Sequence, residues 1–434
     1  PANNCRIYFM KKLLLILLFI QFLCSCKKEY EAPVPDSAGW AEFDGAAAMP
    51  LPVTTRNAME GVYTLSDGKS VFGELAAIKW SYIHTGADTT FHISGFFGQD
   101  IAYFICEGKR SNGSILLNGY WRKMVSTETG IMRLTINAAN GADLLFSPDP
   151  ATTPGSITME GMYGYSAATP SNVISLSYTR RLNSSPNYFQ IMAHRSGGRT
   201  ADLLPSSENS VEMILKTPEF GSTGIEIDVR FTSDGVPILY HDNSLNLRLI
   251  QKSGLIGAIE NYSYAQLSTF VRLIHGERIP TLRQALDAVV YQTQLSFVWL
   301  DTKYNGPIDT VRAIQKEYLA KAAAAGRTIQ IVIGMPGQQQ FEQFLLLPDF
   351  FNTPSLCELG IDEVKKSNAK VWAPRFTNGT QNEQVAEIHS LGKLAFVWTL
   401  DVPEFITQFV NDGRFDGILS NYPSCVAYNY YVHQ

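Results

Sequence analysis

Two carboxylates one residue apart, Glu226 and Asp228, lie in Gly224–Phe231, where apolar and acidic side chains alternate. That alternation is the period-two signature of a strand, with Ile225, Ile227 and Val229 on one face and the acids on the other. A second alternating stretch, Phe297–Lys303, carries Asp301 and Lys303 on one face. Two further apolar runs end in a histidine with a polar neighbour, His194-Arg195 and His241-Asp242. If the inward faces coincide, Glu226, Asp228 and Asp301 converge as hard oxygen ligands, which suit Mg²⁺, Ca²⁺ or Mn²⁺ better than zinc. Two histidines at neighbouring strand ends supply a general base and a general acid near neutral pH. Arg195 and Lys303 add cationic donors suited to phosphate oxygens. Together these groups form a phosphoryl-transfer constellation. Each residue taken singly has a duller reading, a solvated strand face or a strand-end cap; the joint pattern is what argues for a site.

The elements that must position these residues begin after Asn183-Ser184-Ser185-Pro186. Strands are predicted at 188–194, 224–231, 238–241, 296–303, 328–334, 369–375, 393–400 and 416–421. Helices are predicted between them at 208–217, 281–292, 308–326, 338–346, 383–391 and 402–411. Regular strand–helix alternation over about 250 residues is the size and pattern of a (β/α)8 TIM barrel, whose site lies at the C-terminal ends of its strands. A doubly wound open sheet is the alternative, weakened because no GxGxxG follows the first strand.

The preceding segment, 42–185, reads as an all-β domain, a barrel or a sandwich. Strands are predicted at 59–65, 71–83, 90–96, 101–107, 115–124, 131–137, 157–163 and 174–182, with turn residues between them. Met59-Glu60-Gly61-Val62-Tyr63 and Met159-Glu160-Gly161-Met162-Tyr163 are similar, as the first and last strands of one barrel would be. His84, His92, Trp80 and Trp121 carry no motif and read as core or rim.

Residues 1–25 read as a leader: Met10-Lys11-Lys12 opens a basic region and Leu13 to Leu23 is an apolar run too short to span a membrane comfortably. Residues 1–9 read as an upstream extension. Leu23-Cys24-Ser25-Cys26 resembles a bacterial lipobox, which implies lipidation of Cys26, a tether over 26–41 and a membrane anchor. Lys27 after that cysteine argues by analogy for the outer membrane. Outside the leader only Cys106, Cys357 and Cys425 remain, which gives neither a disulfide framework nor a zinc cluster. A net charge of -5 argues against a nucleic-acid partner.

His194-Arg195-Ser196-Gly197-Gly198, Glu208-Asn209-Ser210, Glu226-Ile227-Asp228, Asp234-Gly235-Val236-Pro237 and His241-Asp242 together resemble the glycerophosphodiester phosphodiesterase family. The resemblance continues through Ile279-Pro280-Thr281-Leu282, Asp301-Thr302-Lys303, Val397-Trp398-Thr399, Asp416-Gly417-Ile418 and Asn421-Tyr422-Pro423. It implies a TIM barrel over 186–434 that uses a divalent cation to hydrolyse glycerophosphodiesters to glycerol 3-phosphate and an alcohol. It places the metal on Glu226, Asp228 and Asp301, acid–base chemistry on His194 and His241, and the phosphate on Arg195 and Lys303. By analogy with related phospholipases, His194 is the base and His241 the acid. Three departures stand out: Ser196 and a longer loop to Glu208 follow His194-Arg195, Asp301 replaces a usual Glu, and Asn421 stands where Asp is common. A phosphodiesterase for another lipid or polymer head group and a non-catalytic, lipid-anchored glycan- or lipid-binding protein are the alternative readings.

Overall fold

Eight antiparallel strands between Gly61 and Arg180 close on themselves in this computed structural model, which describes residues 32–35, 39–182, 189–306 and 308–433. The leader, Cys26 and the domain junction at 185 lie outside the described residues. The strands are Gly61–Asp67, Leu75–Thr85, Asp88–Phe97, Ala102–Ser111, Ser114–Lys123, Thr129–Ile136, Thr158–Tyr163 and Asn172–Arg180. Each pairs with its neighbour in sequence, and the first pairs with the eighth, giving an up-and-down barrel rather than a sandwich. The two similar pentapeptides fall at the first and seventh strands, so pairing of first with last does not explain them. Aromatic side chains fill the barrel: Tyr63, Phe97, Phe104 and Trp121 from the strands and Phe72 from the short helix Lys69–Phe72 are fully buried in one core. Closure leaves no open sheet edge, apart from a short added pairing of Met49–Pro50 with the fourth strand.

A second ring is built from eight parallel strands: Gln190–Ala193, Gly224–Phe231, Phe297–Thr302, Gln330–Met335, Ser355–Cys357, Val371–Trp372, Leu394–Val397 and Gly417–Ser420. They pair in chain order and the first also pairs with the eighth, which closes the ring. The expected strand at 238–241 is instead Pro237–Leu239, an antiparallel flap on the second strand outside the parallel ring. Its place in the count is taken by Ser355–Cys357, a three-residue strand not among the expected ones.

The second strand is buried on both faces. Ile225, Ile227 and Val229 face the helices, in one core with Leu286, Val289 and Ile314. The interior is filled by another layer, including Met192, Phe297, Trp299, Val332, Phe396 and Leu419. The outer face of the antiparallel barrel joins the helix-side core through Val62, Ala77, Phe96 and Tyr103. Residues 32–434 accordingly form one compact unit. Gly221 shows how close the two barrels approach: with φ +90°, a Cβ there would lie 2.7 Å from Ala427 and 3.0 Å from the Phe96 ring.

Candidate active site

Parallel register aligns Glu226 with Trp299 and Asp228 with Asp301, so the inward side chains of the second and third strands stand in rows. Glu226, Asp228 and Asp301 are 1%, 0% and 6% exposed, and one oxygen from each lies within 4.8 Å of the others. Each carboxylate has one oxygen held by the protein. Glu226 Oε2 accepts from the Arg195 backbone N–H at 2.8 Å, Asp228 Oδ2 from Asn209 Nδ2 at 2.7 Å, and Asp301 Oδ2 from the Lys303 ammonium. The other oxygens, Glu226 Oε1, Asp228 Oδ1 and Asp301 Oδ1, have no hydrogen-bond donor. Lys303 Nζ stands 3.4 Å from Asp228 Oδ1.

Buried carboxylate oxygens without donors are costly unless something neutralises them. Three carboxylates against one ammonium leave two negative charges uncompensated, the charge of one divalent cation. The all-oxygen donor set fits a hard ion, so the residues present suit the expected metal. The electrostatics show the same stress. Burial first, then Asp228 and Asp301, push the Glu226 carboxyl well above its ordinary range. Burial also raises Asp301, against the opposing pull of Lys303. Asp228 is depressed because Lys303, His241, Arg195 and His194 together outweigh its own burial. Lys303 is held protonated: Asp301, Asp228 and Glu226 outweigh its desolvation.

Both histidines are oriented by a carboxylate-anchored partner. Asp401 Oδ2 accepts from Asn421 Nδ2 at 2.6 Å, which fixes that amide and points its Oδ1 at His194. His194 Nδ1 then donates to Asn421 Oδ1 at 2.9 Å, leaving Nε2 as the lone-pair nitrogen, 3.8 Å from Glu226 Oε2. Burial, aided by Arg195, lowers the His194 imidazole to about 3, so it is neutral. His241 Nδ1 donates to Asp242 Oδ1 at 2.6 Å, and its Nε2 accepts from Arg195 Nη2 at 2.8 Å. Arg248 and Asn246 also bind Asp242 and hold that carboxyl well below its usual range despite partial burial.

Arg195 sits on a strained turn. It and Ser196 both have left-handed backbones, φ 52° and 68°, which bulky residues adopt only where surroundings enforce it. Here the Arg195 N–H is fixed by Glu226, its carbonyl accepts from Asn209 N at 3.0 Å, and its guanidinium bonds Glu208 at 2.9 Å. Gly198, φ +141°, closes the turn against the eighth strand; a Cβ there would meet the Asn421 carbonyl at 3.0 Å.

All seven expected site residues within the described chain therefore gather at the C-terminal rim. Both cations are engaged by protein groups, Arg195 by Glu208 and His241, Lys303 by Asp301 and Asp228. The orienting residues Asn209, Asp242, Asp401 and Asn421 were visible only as polar strand ends or motif neighbours, with no role attached. Glu358 was missed with the fifth strand it follows. Burial and Asp301 push its carboxyl well above the ordinary range, with Lys303 and Arg375 opposing. The apolar run Ser355-Leu356-Cys357 ending in an acid was the available signal.

Residues 194–333 match the model of the Glycerophosphoryl diester phosphodiesterase family. Over 100 residues the chain is 38% identical to Glycerophosphodiester phosphodiesterase 1 of Rattus norvegicus and 35% identical to that of Homo sapiens. Each match covers 22% of this chain and 28% of the relative, so the chain spans less than a third of these curated relatives. Among solved structures, it is similar to an Oleispira antarctica phosphodiesterase in complex with the product sn-glycerol-3-phosphate. That likeness has 19% identity and a TM-score of 0.41, over 55% of this chain and 94% of the other.

Proposed function

The chain belongs to the glycerophosphoryl diester phosphodiesterase family through residues 194–333, and on that premise we propose that it hydrolyses glycerophosphodiesters to glycerol 3-phosphate and an alcohol. The observation that carries the reading is the trio of buried carboxylates, each with one oxygen left without a donor, set between two histidines of fixed orientation. Glu226, Asp228 and Asp301 would hold the divalent cation, Ca²⁺, Mg²⁺ or Mn²⁺. When bound, it supplies positive charge to the phosphate oxygens.

This chain's own groups do the rest. Arg195 and Lys303 bind the phosphate oxygens as charge-assisted donors. His194, neutral and with Nε2 open, takes the proton of the attacking oxygen, which is either water or the substrate's own glycerol 2-hydroxyl. As the new P–O bond forms, the bond to the leaving alcohol breaks and His241, with Nε2 released by Arg195 to the phosphate and carrying a proton, delivers that proton to the leaving oxygen. Asp242 holds Nδ1 of His241 and so fixes the ring, leaving Nε2 as the nitrogen that hands over the proton. Asp301, shorter than Glu by one methylene, would still offer its donor-free Oδ1 to that cation.

The test is release of glycerol 3-phosphate from a panel such as glycerophosphocholine, glycerophosphoethanolamine and glycerophosphoinositol. Activity abolished by EDTA and restored by Ca²⁺ or Mg²⁺ supports the reading; absence of product on the whole panel with metal present refutes it. We also propose, from the pattern around Leu13–Cys26, that the chain is exported and tethered to the outer membrane through lipidated Cys26. Replacing Cys26 with Ser should then move the protein from the membrane to the soluble fraction. Among the described residues, no helix is long and apolar enough to cross a membrane.

A further inference from the structure

We propose that the antiparallel barrel is a working part of the active site, with Arg122 as its positioning residue; this rests on the phosphodiesterase reading above. Arg122 lies in the fifth strand of that barrel and is 0% exposed. Its guanidinium reaches out of its own barrel to the loop after the first parallel strand. Nη2 donates to the Asp202 carbonyl and Nη1 to the Leu203 carbonyl, both at 2.8 Å. A buried cation whose terminal nitrogens grip two consecutive carbonyls fixes the backbone between them. That backbone needs fixing, because Leu203 is left-handed at φ 51°, a conformation a branched residue adopts only where its surroundings enforce it.

The gripped loop leads to both catalytic strand ends. Toward the eighth strand, Asp202 Oδ1 accepts from Tyr422 Oη and from Arg199 Nη2, both at 3.1 Å. Arg199 Nη1 stands 3.9 Å from Asp401 Oδ2, the oxygen that anchors Asn421 and through it His194. Toward the second strand, the Thr200 N–H donates to Glu208 Oε2 at 2.8 Å, while Glu208 Oε1 holds the Arg195 guanidinium. One side chain of the first barrel thus steadies the loop that orients the proposed base and the phosphate-binding arginine of the second.

Arg180, partly buried, also bridges the barrels, from Nη2 alone to the carbonyls of Tyr431 and Val432 at 3.1 and 2.8 Å, but its partners lie in the last helix. It is the comparison variant, an inter-barrel arginine whose hydrogen bonds among the described residues do not include the 199–203 loop.

The full chain, loaded with Mg²⁺ or Ca²⁺, is assayed on glycerophosphocholine as wild type, Arg122→Ala, Arg122→Lys, Arg180→Ala and Asp202→Asn. Hydrogen exchange is followed at 199–203 and 420–422. A displacement of reacting groups by about 1 Å is worth up to ~10² in rate. Arg122→Ala is therefore expected to lower kcat at least ~5-fold relative to Arg180→Ala, with KM within threefold, and to speed exchange in both segments. A smaller kcat difference, or equal exchange in the two variants, overturns the proposal. Should Arg122→Ala not fold, Arg122→Lys keeps the charge but not the two-pronged grip and carries the same test, Asp202→Asn reporting only the link from the loop to Arg199 and Tyr422; wild-type kcat and exchange in Arg122→Lys overturn the coupling. A wild-type chain inactive on glycerophosphodiesters is a failure of the phosphodiesterase reading, and exchange in Arg122→Ala still decides the coupling.

Discussion

Replacing Asn421 with Asp, the residue that the family resemblance leads one to expect there, should add to the proposed turnover an alkaline limit beyond any set by His241. In the native site Asn421 Nδ2 donates to Asp401 Oδ2 at 2.6 Å while Oδ1 accepts from His194. An introduced carboxyl can copy that arrangement only while protonated, its O–H donating to Asp401. Once ionised, it sets two negative charges about 3 Å apart. With an effective dielectric of roughly 20 to 40, suited to a buried Asn421 beside a partly exposed Asp401, the repulsion is about 3–6 kcal/mol. That lifts the introduced carboxyl by roughly 2–4 units, from about 3.9 to between about 6 and 8. Below that range Asn421→Asp should turn over nearly as fast as wild type. Above it Asp401 loses its donor, and the new carboxylate beside His194 favours imidazolium, which cannot act as a base. There kcat should fall at least ~10-fold. Stability follows the same sign: a carboxyl raised in the folded state holds its proton there, so folding free energy is lost as pH rises from ~3.9 through the raised value. The assay is kcat from pH 5 to 9 for wild type, Asn421→Asp and Asn421→Asp with Asp401→Asn, which removes the second charge and should abolish the new limb. Profiles of wild type and Asn421→Asp that overlay to pH 9 would refute the reasoning.

Other expectations follow from the same geometry. His194→Ala and His241→Ala should each lower kcat by at least ~10² with the fold retained, and near-full turnover in both would remove acid–base catalysis from these residues. Glu226→Gln should abolish metal-stimulated turnover yet raise the melting temperature in EDTA, because it removes a buried carboxyl already forced well above its normal range; an unchanged or lower melting temperature counts against that electrostatic account. Away from the rim, buried Glu219 faces His92 Nδ1 at 3.1 Å across the two barrels and is pushed up to about 8 by burial. The folded chain then holds this proton between about 4.5 and 8 and loses stability as pH rises through that window. Glu219→Gln should therefore be more stable than wild type at pH 8, by on the order of 3 kcal/mol, with the difference vanishing near pH 5; denaturant melts at the two pH values check it.

What the sequence made legible followed periodicity and punctuation. All eight strands of the antiparallel barrel were readable because apolar-rich runs are bounded by turn residues such as Asp67-Gly68, Asn112-Gly113 and Asn140-Gly141. Gly224–Phe231 was read to the residue, since its acid–apolar alternation is a strong period-two signal. Ser355–Cys357 and Val371–Trp372 have three and two residues, too few to display any period, so the first was missed and the second drawn too long. Pro237–Leu239 looked like a barrel strand because an apolar run does not state the direction of its partner. The convergence of Glu226, Asp228 and Asp301 was inferable once two alternating strands were assumed to be neighbours. Their neutralisation was not, because the pattern does not say that Lys303, assigned to phosphate, also stands beside Asp301 and Asp228.

The illegible remainder shares one physical character: it is orientation supplied from far along the chain. His194 is recognisable as chemistry from its neighbours, but its tautomer depends on Asn421, 227 residues away, and on Asp401 behind that amide. Arg122 sits in an ordinary alternating strand and meets its carbonyl partners 80 and 81 residues later. No local pattern encodes such contacts, because they are set by how two closed sheets dock. The reactive groups therefore lie on the regular strands, where periodicity finds them. The restraints that make them competent lie in loops and in the neighbouring barrel. The departure at Asn421 and the loop at 199–203 are thus best read with their partners: Asn421 is paired with Asp401 by the need for a donor, and that loop with Arg122 by the need for an anchor. A substitution that restores the family residue without its partner should impair this site.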